Sequence, residues 1–277
     1  MTDAYAVFGN PIEHSLSPQI HLAFAAQLDH SISYVKQRVE PGLFDQEASA
    51  FFANGGRGLN VTVPFKTDAY AFADQLSRAA RQAGAVNTLI LRQDGSVFGD
   101  NTDGVGLVRD IEQNLAWQLS GLRVLVLGAG GAVRGALGPI LAAKPGEVMI
   151  ANRTAAKAKQ LATAFTASGE IEGCGLDELG DRRFDLVING SSASLAGQVP
   201  DLPPTILAPG AVCYDMMYAS EPTVFLRWAQ GLGARACADG LGMLVEQAAQ
   251  AFFIWRGCHP EAKPVIAQMR ALLSRQQ

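Results

Sequence analysis

The sequence has little charge, and it contains neither a basic block nor a long apolar run. Charged residues make up 17% of the 277 residues, and 22 basic against 26 acidic side chains give a formal net charge of −4. No cluster of lysine and arginine is available to neutralise a run of phosphates, so nucleic acid is not an expected partner. No stretch approaches the ~20 apolar residues that span a bilayer, and Met1 to Phe8 lack the basic region and long apolar run typical of a signal peptide. We expect a soluble cytoplasmic protein with no membrane partner.

Cysteine and histidine are also scarce, with four residues of each type. The cysteines show no CxxC spacing and the histidines no HxxxH or HExxH pattern, which argues against a zinc, redox or other metal site. We interpret the cysteines as thiols in core or boundary positions. The residues in question are Cys174, Cys213, Cys237 and Cys258, and His14, His21, His30 and His259.

Length and composition are typical of an ordinary globular protein with two domains. A chain of 277 residues with 48% hydrophobic residues is long for one compact domain and comfortable for two. Apolar periodicity over the first hundred residues predicts alternating strands and helices. The predicted strands are 5–8, 32–39, 59–63 and 85–91, and the predicted helices are 18–28, 43–53 and 68–83.

A second αβ series begins at Arg123. The strand 123–127 is followed by a glycine turn and a helix to about residue 143, and continuously apolar strands are predicted at 148–151, 185–188 and 212–214. Such strands are typical of a parallel sheet covered on both faces, which indicates a doubly wound domain. Two further helical patterns, 241–255 and 263–273, end the chain. We expect these two helices to pack back on the first domain, so that the doubly wound domain is inserted within it.

The glycine turn at 128–131 is a candidate phosphate-binding loop. Gly128, Gly130 and Gly131 stand between a strand and a helix, where backbone amides can approach a pyrophosphate at the positive end of the helix. The pattern departs from GxGxxG because Val133 occupies the third glycine position. A glycine-rich turn without a ligand is the alternative.

The end of the following strand favours NADP over NAD. An NAD site usually has an acidic residue there that binds the ribose 2′-hydroxyl, whereas this chain reads Asn152-Arg153-Thr154, with Lys157 one helical turn later. A guanidinium, a hydroxyl and a second cation suit a 2′-phosphate. The alternative is a solvated basic helix start, which the helix dipole would oppose.

Polar clusters in the first domain mark a candidate substrate site. Ser15 and Ser17 precede Pro18, and helix capping by Ser17 would explain only one of the two serines. Asn60 and Thr62 alternate with valines and so share one face of a strand, which Lys66 follows. The remaining clusters are Asn87 and the run 99–104, in which Asp103 is either a helix cap or a ligand-binding group.

Taken together, these motifs resemble the shikimate dehydrogenase family over nearly the full length. The matching stretches are YAVFGNPIEHSLSP (5–18), NVTVPFK (60–66), GAVNTL (84–89), GDNTDGVG (99–106), GAGGA (128–132), NRT (152–154) with Lys157, DMMY (215–218) and DGLGMLVEQAA (239–249). Their order along the chain makes the resemblance specific. One departure is Asn189-Gly190-Ser191-Ser192-Ala193, where the family commonly has an Ala-Thr-Ser-rich loop, and no contact is assigned to it.

The resemblance implies a two-domain α/β fold and a set of site residues. Residues 1–102 and 239–277 would form a discontinuous substrate domain, and 103–238 a Rossmann-like NADP-binding domain. The implied substrate-binding residues are Ser15, Ser17, Asn60, Thr62, Lys66, Asn87, Asp103, Tyr218 and Gln247, with Lys66 and Asp103 catalytic. The implied cofactor-binding residues are Gly128, Ala129, Gly130, Gly131, Ala132, Asn152, Arg153, Thr154, Lys157, Met216 and Gly240.

The implied reaction is the NADPH-dependent, reversible reduction of 3-dehydroshikimate to shikimate in aromatic amino-acid biosynthesis, by a monomer or homodimer. Lys66 would donate and accept the proton while Asp103 orients it, although a nearby carboxylate favours the charged lysine, which suits an acid better than a base. Two alternatives stay open: a quinate/shikimate dehydrogenase of broader specificity, and a non-catalytic NADP or shikimate sensor. The Ser-x-Ser form at 15–17 resembles shikimate-preferring members, which predicts weak activity on quinate.

Overall fold

The chain is divided into two compact α/β units. The computed structural model describes residues 2–191, 197–199 and 201–275. The first unit comprises Met1–Gly106 and Leu244–Ala271, and the second comprises Leu107–Met243 with the end of the last helix from Leu272. Part of the loop that departs from the family, Ser192 and Ala193, lies outside the described residues.

The first unit contains a six-stranded mixed sheet. Strands β1, β2 and β3 pair in parallel, whereas β5 pairs antiparallel with both β3 and β6. The strand order is β2-β1-β3-β5-β6-β4. The strands are β1 (Asp3–Gly9), β2 (Ile32–Arg38), β3 (Gly56–Val61), β4 (Gln75–Leu76), β5 (Thr88–Leu91) and β6 (Val97–Asp100). The helices are α1 (Ser17–Gln27), α2 (Phe44–Ala53), α3 (Lys66–Phe72) and α4 (Arg78–Ala83), with α5 (Asp103–Arg109) starting at the unit's edge.

Two predictions for this unit are wrong in detail. The helix predicted over 68–83 is interrupted, because Asp74 accepts a hydrogen bond from the Val97 amide at 2.7 Å and the Ser77 hydroxyl accepts one from the Ala80 amide at 2.9 Å. These two bonds tie the segment to β6 and start α4 separately. The sequence did not predict strand β6, which contains Gly99 and Asp100 of the polar run 99–104.

The second unit is a parallel doubly wound sheet. Its strand order is β12-β11-β10-β7-β8-β9, with the point of reversal between β7 and β10. This is the order of a dinucleotide-binding fold, in which ligands lie at the carboxyl ends of the strands at that point. The strands are β7 (Arg123–Leu127), β8 (Glu147–Asn152), β9 (Ile171–Gly175), β10 (Phe184–Asn189), β11 (Leu207–Asp215) and β12 (Ala236–Asp239). The helices are α6 (Gly131–Ala142), α7 (Ala155–Thr163) and α8 (Val224–Gly231), followed by α9 (Leu241–Arg256) and α10 (Ala262–Ser274).

The strands of the second unit are continuously apolar because both faces of the sheet are covered. Val124, Leu125, Val126 and Leu127 of β7 are all buried, and they divide between two core clusters, one on each face. Sequence reasoning identified β7, β8, β10 and β11 and missed β9 and β12. Across the part of the chain that is described, no helix has the length and apolar character needed to cross a bilayer.

Candidate active site

Lys66 and Asp103 form an ion pair in the first unit, although 37 positions separate them in the sequence. Lys66 is the first residue of α3, which follows β3 after a short loop, and Asp103 is the first residue of α5, which follows β6. The Lys66 Nζ donates to Asp103 Oδ2 at 2.5 Å, and the two side chains are 29% and 11% exposed. A charge-assisted bond to a nearly buried carboxylate is stronger than an exposed pair. The arrangement therefore holds the Lys66 amine, partly accessible to solvent, against a fixed carboxylate.

The orientation of Asp103 is fixed by its neighbours. The Asn87 Nδ2 donates to Asp103 Oδ1 at 2.7 Å, so both carboxylate oxygens are engaged. The Asp103 amide donates to the Asn101 side-chain oxygen at 3.2 Å. Asp103 is the first residue of α5, and its carboxylate oxygens bond to the Lys66 and Asn87 side chains, so the alternative interpretation of Asp103 as a mere N-cap is wrong.

Asn87 is the centre of the surrounding hydrogen bonds. Its Oδ1 accepts from the Thr102 amide at 3.0 Å, and its Nδ2 lies 3.3 Å from the Oε1 of Gln247, which is carried by α9. The Thr102 hydroxyl also donates to that Gln247 oxygen at 3.3 Å. Thr102 and Asn101 were missed as positioning residues because turn chemistry alone explains such polar loops. Their signal was the density of hydrogen-bonding side chains in 99–104.

Asn60 is buried at the carboxyl end of β3. Its Nδ2 donates to the Asn87 carbonyl and to Thr88 Oγ1, both at 3.2 Å, and its Oδ1 accepts from the Tyr34 hydroxyl at 2.7 Å. Thr62 follows the last residue of the strand and is half-buried. The structure therefore joins Asn60 to the Asn87 and Asp103 cluster by direct hydrogen bonds.

Ser15 and Ser17 bond to each other at the start of α1. The Ser15 hydroxyl donates to Ser17 Oγ at 3.1 Å and accepts from the Ser17 amide at 3.3 Å. The residue preceding the helix is Leu16, and no side chain caps the helix there. The interpretation of Ser17 as an N-cap is therefore wrong, and both hydroxyls remain candidates for ligand binding.

The glycine loop of the second unit leaves room for a phosphate. Gly128 has φ +103°, a conformation that side chains rarely adopt, and a Cβ there would lie 3.2 Å from the Gly190 carbonyl. Cβ atoms at Gly130 and Gly131 would point into open space, so ligand atoms can approach the backbone. No acidic residue lies in the first turn of α6. These features fit a pyrophosphate at the helix N-terminus, beside Ala129 and Ala132.

The start of α7 fits a further phosphate. Arg153, Thr154 and Lys157 are exposed, and the first turn of the helix contains no acidic residue. The Asn152 Nδ2 donates to the Thr154 carbonyl at 3.0 Å, which orders the turn between β8 and α7. The cations therefore stand at a helix end that itself attracts anions, as a 2′-phosphate site requires.

Met216 and Tyr218 lie on the loop after β11. The buried Asp215 shapes this loop by accepting bonds from the Met217 amide at 3.1 Å and the Thr223 hydroxyl at 2.6 Å. The Gly240 amide donates to the Met217 carbonyl at 3.0 Å. Burial, and secondarily the charge of Asp239, raise the pKa of Tyr218. Tyr218 belongs to the second unit, whereas the other predicted substrate-binding residues belong to the first.

Three family models match separate stretches of the chain. Residues 7–89 match the model of the shikimate dehydrogenase substrate binding domain. Residues 110–196 match shikimate / quinate 5-dehydrogenase, and residues 240–270 match the shikimate 5'-dehydrogenase C-terminal domain.

Relatives and solved structures agree with the family models. A shikimate dehydrogenase (NADP(+)) of Cellvibrio japonicus is 57% identical over 99% of both chains. The crystal structure of an Ael1 enzyme from Pseudomonas putida is 44% identical, with a TM-score of 0.92 over 96% of this chain and 98% of that one. Shikimate 5-dehydrogenase from Thermus thermophilus, in complex with NADP(H) and shikimate, is 30% identical, with a TM-score of 0.87 over 98% and 100% of the two chains.

Proposed function

Because this chain belongs to the shikimate dehydrogenase family, we propose that it catalyses the reversible, NADPH-dependent reduction of 3-dehydroshikimate to shikimate. The observation that carries the proposal is the Lys66–Asp103 pair, in which a partly exposed ammonium is bonded at 2.5 Å to an oriented carboxylate. A carbonyl reduction needs a proton donor of this kind beside the oxygen that becomes a hydroxyl. The neighbouring amides and hydroxyls suit a small molecule that carries several hydroxyl groups.

Lys66 moves the proton. NADPH, when bound, supplies the hydride that the ring carbonyl carbon receives. The carbonyl electron pair shifts to oxygen, and the Lys66 Nζ gives that oxygen a proton to form the hydroxyl. In the reverse direction the same amine accepts the hydroxyl proton. Asp103 keeps Lys66 beside the reacting oxygen and accepts a hydrogen bond from the adjacent substrate hydroxyl.

The other substrate contacts are proposed for the polar side chains that the sequence motifs indicate. Ser15 and Ser17 offer hydroxyls to a substrate hydroxyl or carboxylate, and Asn87 and Gln247 offer amide groups beside Asp103. Orientation by several directional bonds converts binding into a favourable reacting geometry. The proposed set is Ser15, Ser17, Asn60, Thr62, Lys66, Asn87, Asp103, Tyr218 and Gln247.

The second unit is proposed to bind the cofactor. The glycine loop accepts the pyrophosphate, and the basic start of α7 accepts the 2′-phosphate, since opposite charge and a helix N-terminus favour an anion at both places. The proposed set is Gly128, Ala129, Gly130, Gly131, Ala132, Asn152, Arg153, Thr154, Lys157, Met216 and Gly240. We further propose the functional domains as 1–102 with 239–277 for substrate and 103–238 for NADP.

One assay tests the function. The purified chain is incubated with shikimate or quinate and with NADP or NAD, and nicotinamide absorbance is followed. The proposal expects rapid reduction of NADP with shikimate, slower reduction with NAD, and weak activity on quinate. Comparable rates on quinate would favour the enzyme of broader specificity. No turnover with any pair, from a folded protein that still binds NADP, would favour a sensor.

A further inference from the structure

One buried tyrosine, Tyr34, bonds to a residue of the proposed substrate site and belongs to none of the sequence motifs. Tyr34 lies on the edge strand β2, opposite Tyr5 in the register between β1 and β2. Its side chain is buried, and its hydroxyl donates to Asn60 Oδ1 on β3 at 2.7 Å. The bond therefore connects β2, at the edge of the sheet, to β3 across the intervening strand β1.

The Tyr34 hydroxyl acts as a hydrogen-bond donor. Burial raises the pKa of Tyr34 well above its usual value, so the phenol is protonated at neutral pH and donates to Asn60. Asn60 belongs to the proposed substrate set.

The ring of Tyr34 is itself held in place. His21 of α1 stacks on it with centroids 4.5 Å apart and planes 9° from parallel, and Trp255 of α9 lies 6.3 Å away. A ring packed on two sides has little freedom to rotate, so the position of its hydroxyl is determined by the core. Core packing therefore fixes the position from which the hydroxyl bonds to the Asn60 side chain.

We propose that Tyr34 is a positioning residue for shikimate binding, acting through Asn60. The inference rests on the proposed function and assigns the residue to ground-state binding. Without the hydroxyl, the buried Asn60 oxygen loses its donor, and the Asn60 side chain becomes less well ordered before substrate arrives.

The proton-transfer pair should not depend on Tyr34. Asp103 is oriented by Asn87, and Asn87 is oriented by the backbone amide of Thr102, which no side-chain substitution removes. Loss of the Tyr34 hydroxyl should therefore weaken substrate binding and leave the chemical step intact. This separation distinguishes a positioning role from general damage to the fold.

The test compares Tyr34→Phe with Tyr5→Phe, which removes a buried hydroxyl from the paired position on the neighbouring strand. The Tyr5 hydroxyl accepts from Arg256 at 3.3 Å and bonds to no proposed substrate residue. For Tyr34→Phe, the KM for shikimate should rise about tenfold, the scale of one lost buried hydrogen bond. Its kcat should stay within about twofold and its KM for NADP should be unchanged. Tyr5→Phe should match the unmodified chain in all three.

A second measurement covers the case of reduced stability. Shikimate alone should raise the Tm of Tyr5→Phe more than that of Tyr34→Phe at the same ligand concentration, because stabilisation follows affinity. The inference is overturned if both variants show the same KM, if Tyr34→Phe loses kcat rather than affinity, or if shikimate protects both variants equally. An unmodified chain that does not turn over shikimate would instead refute the proposed function.

Discussion

Mild acid should destabilise the first unit through His21. This side chain is fully buried among the rings of Tyr34, Phe252 and Trp255. Neither of its ring nitrogens has a hydrogen-bond partner among the described residues. Burial lowers the pKa of His21 to about 3, and the nearby Asn60 side chain only partly offsets that shift. The folded state therefore holds a neutral imidazole at any pH above this value.

The sign and size of the effect follow from the two pKa values. In the unfolded chain His21 titrates near the ordinary histidine pKa of 6.5, so the unfolded state takes up the proton first as the pH falls. The contribution to stability is fully present above that pH and is lost progressively toward pH 3. Each pH unit within this window costs about 1.4 kcal/mol, so acidification from about pH 7.5 to pH 5 should lower the free energy of unfolding by ~2 kcal/mol.

The variant His21→Phe should lose this dependence, because phenylalanine keeps a stacked ring and has nothing to protonate. Urea unfolding would be followed at several pH values by the fluorescence of Trp255, in a background carrying Trp117→Phe and Trp228→Phe. Subtracting the pH profile of the unfolding free energy of His21→Phe from that of its parent removes the contributions of the other titrating groups. The matched control is His14→Gln, at an exposed site. If His21→Phe and its parent lost the same free energy between about pH 7.5 and pH 5, the buried neutral imidazole would be refuted.

Three further predictions concern the proposed reaction. Lys66→Ala should reduce kcat by ~10²-fold or more with a far smaller change in shikimate KM, and a near-normal kcat at saturation would remove Lys66 from proton transfer. Arg153→Ser should weaken the binding of NADP by roughly 2 to 3 kcal/mol and the binding of NAD much less. Lys159→Ala, which removes a lysine paired with Glu178, is the control and should change neither affinity. Equal losses of affinity for NADP and NAD would exclude a 2′-phosphate contact. Ser17→Thr should raise the ratio of quinate to shikimate activity, by ~1 to 3 kcal/mol at most, and an unchanged ratio would contradict that selectivity role.

Sequence reasoning predicted the second unit well because its signals are local. A parallel strand buried on both faces reads as a continuous apolar run, as in Val124 to Leu127, and a glycine turn follows it. The strands β9 and β12 were missed because Gly173 and Gly175 dilute the first, and the four residues of the second are only half-buried. Edge strands carry less apolar pattern than central ones.

The site in the first unit was less predictable because its geometry depends on long-range pairing. The residues around Asp74 do not indicate that the predicted helix is interrupted there, because the amide that bonds to Asp74 belongs to Val97 of β6. The role of Tyr34 is likewise invisible in sequence, where it is one aromatic residue of a short strand. Motifs indicate the residues proposed to carry the reacting groups and those that orient Asp103, whereas Tyr34, proposed to position the substrate, lies in none of the motifs.

The departure from the dinucleotide fingerprint has a physical explanation in the second unit. The third glycine of that fingerprint permits close packing of the helix against the strands, and here Val133 takes its place. A Cβ on Gly190 would lie 2.4 Å from Val133 Cγ2 and 3.0 Å from Met216 Sδ. The position that must lack a side chain is therefore Gly190, in the loop after β10, and the helix carries Val133 instead. A search for GxGxxG along one segment fails here because the steric requirement is shared between two segments 57 residues apart, Val133 and Gly190. Any side chain at Gly190 would displace either Val133 or Met216, so Gly190 and Val133 depend on each other sterically.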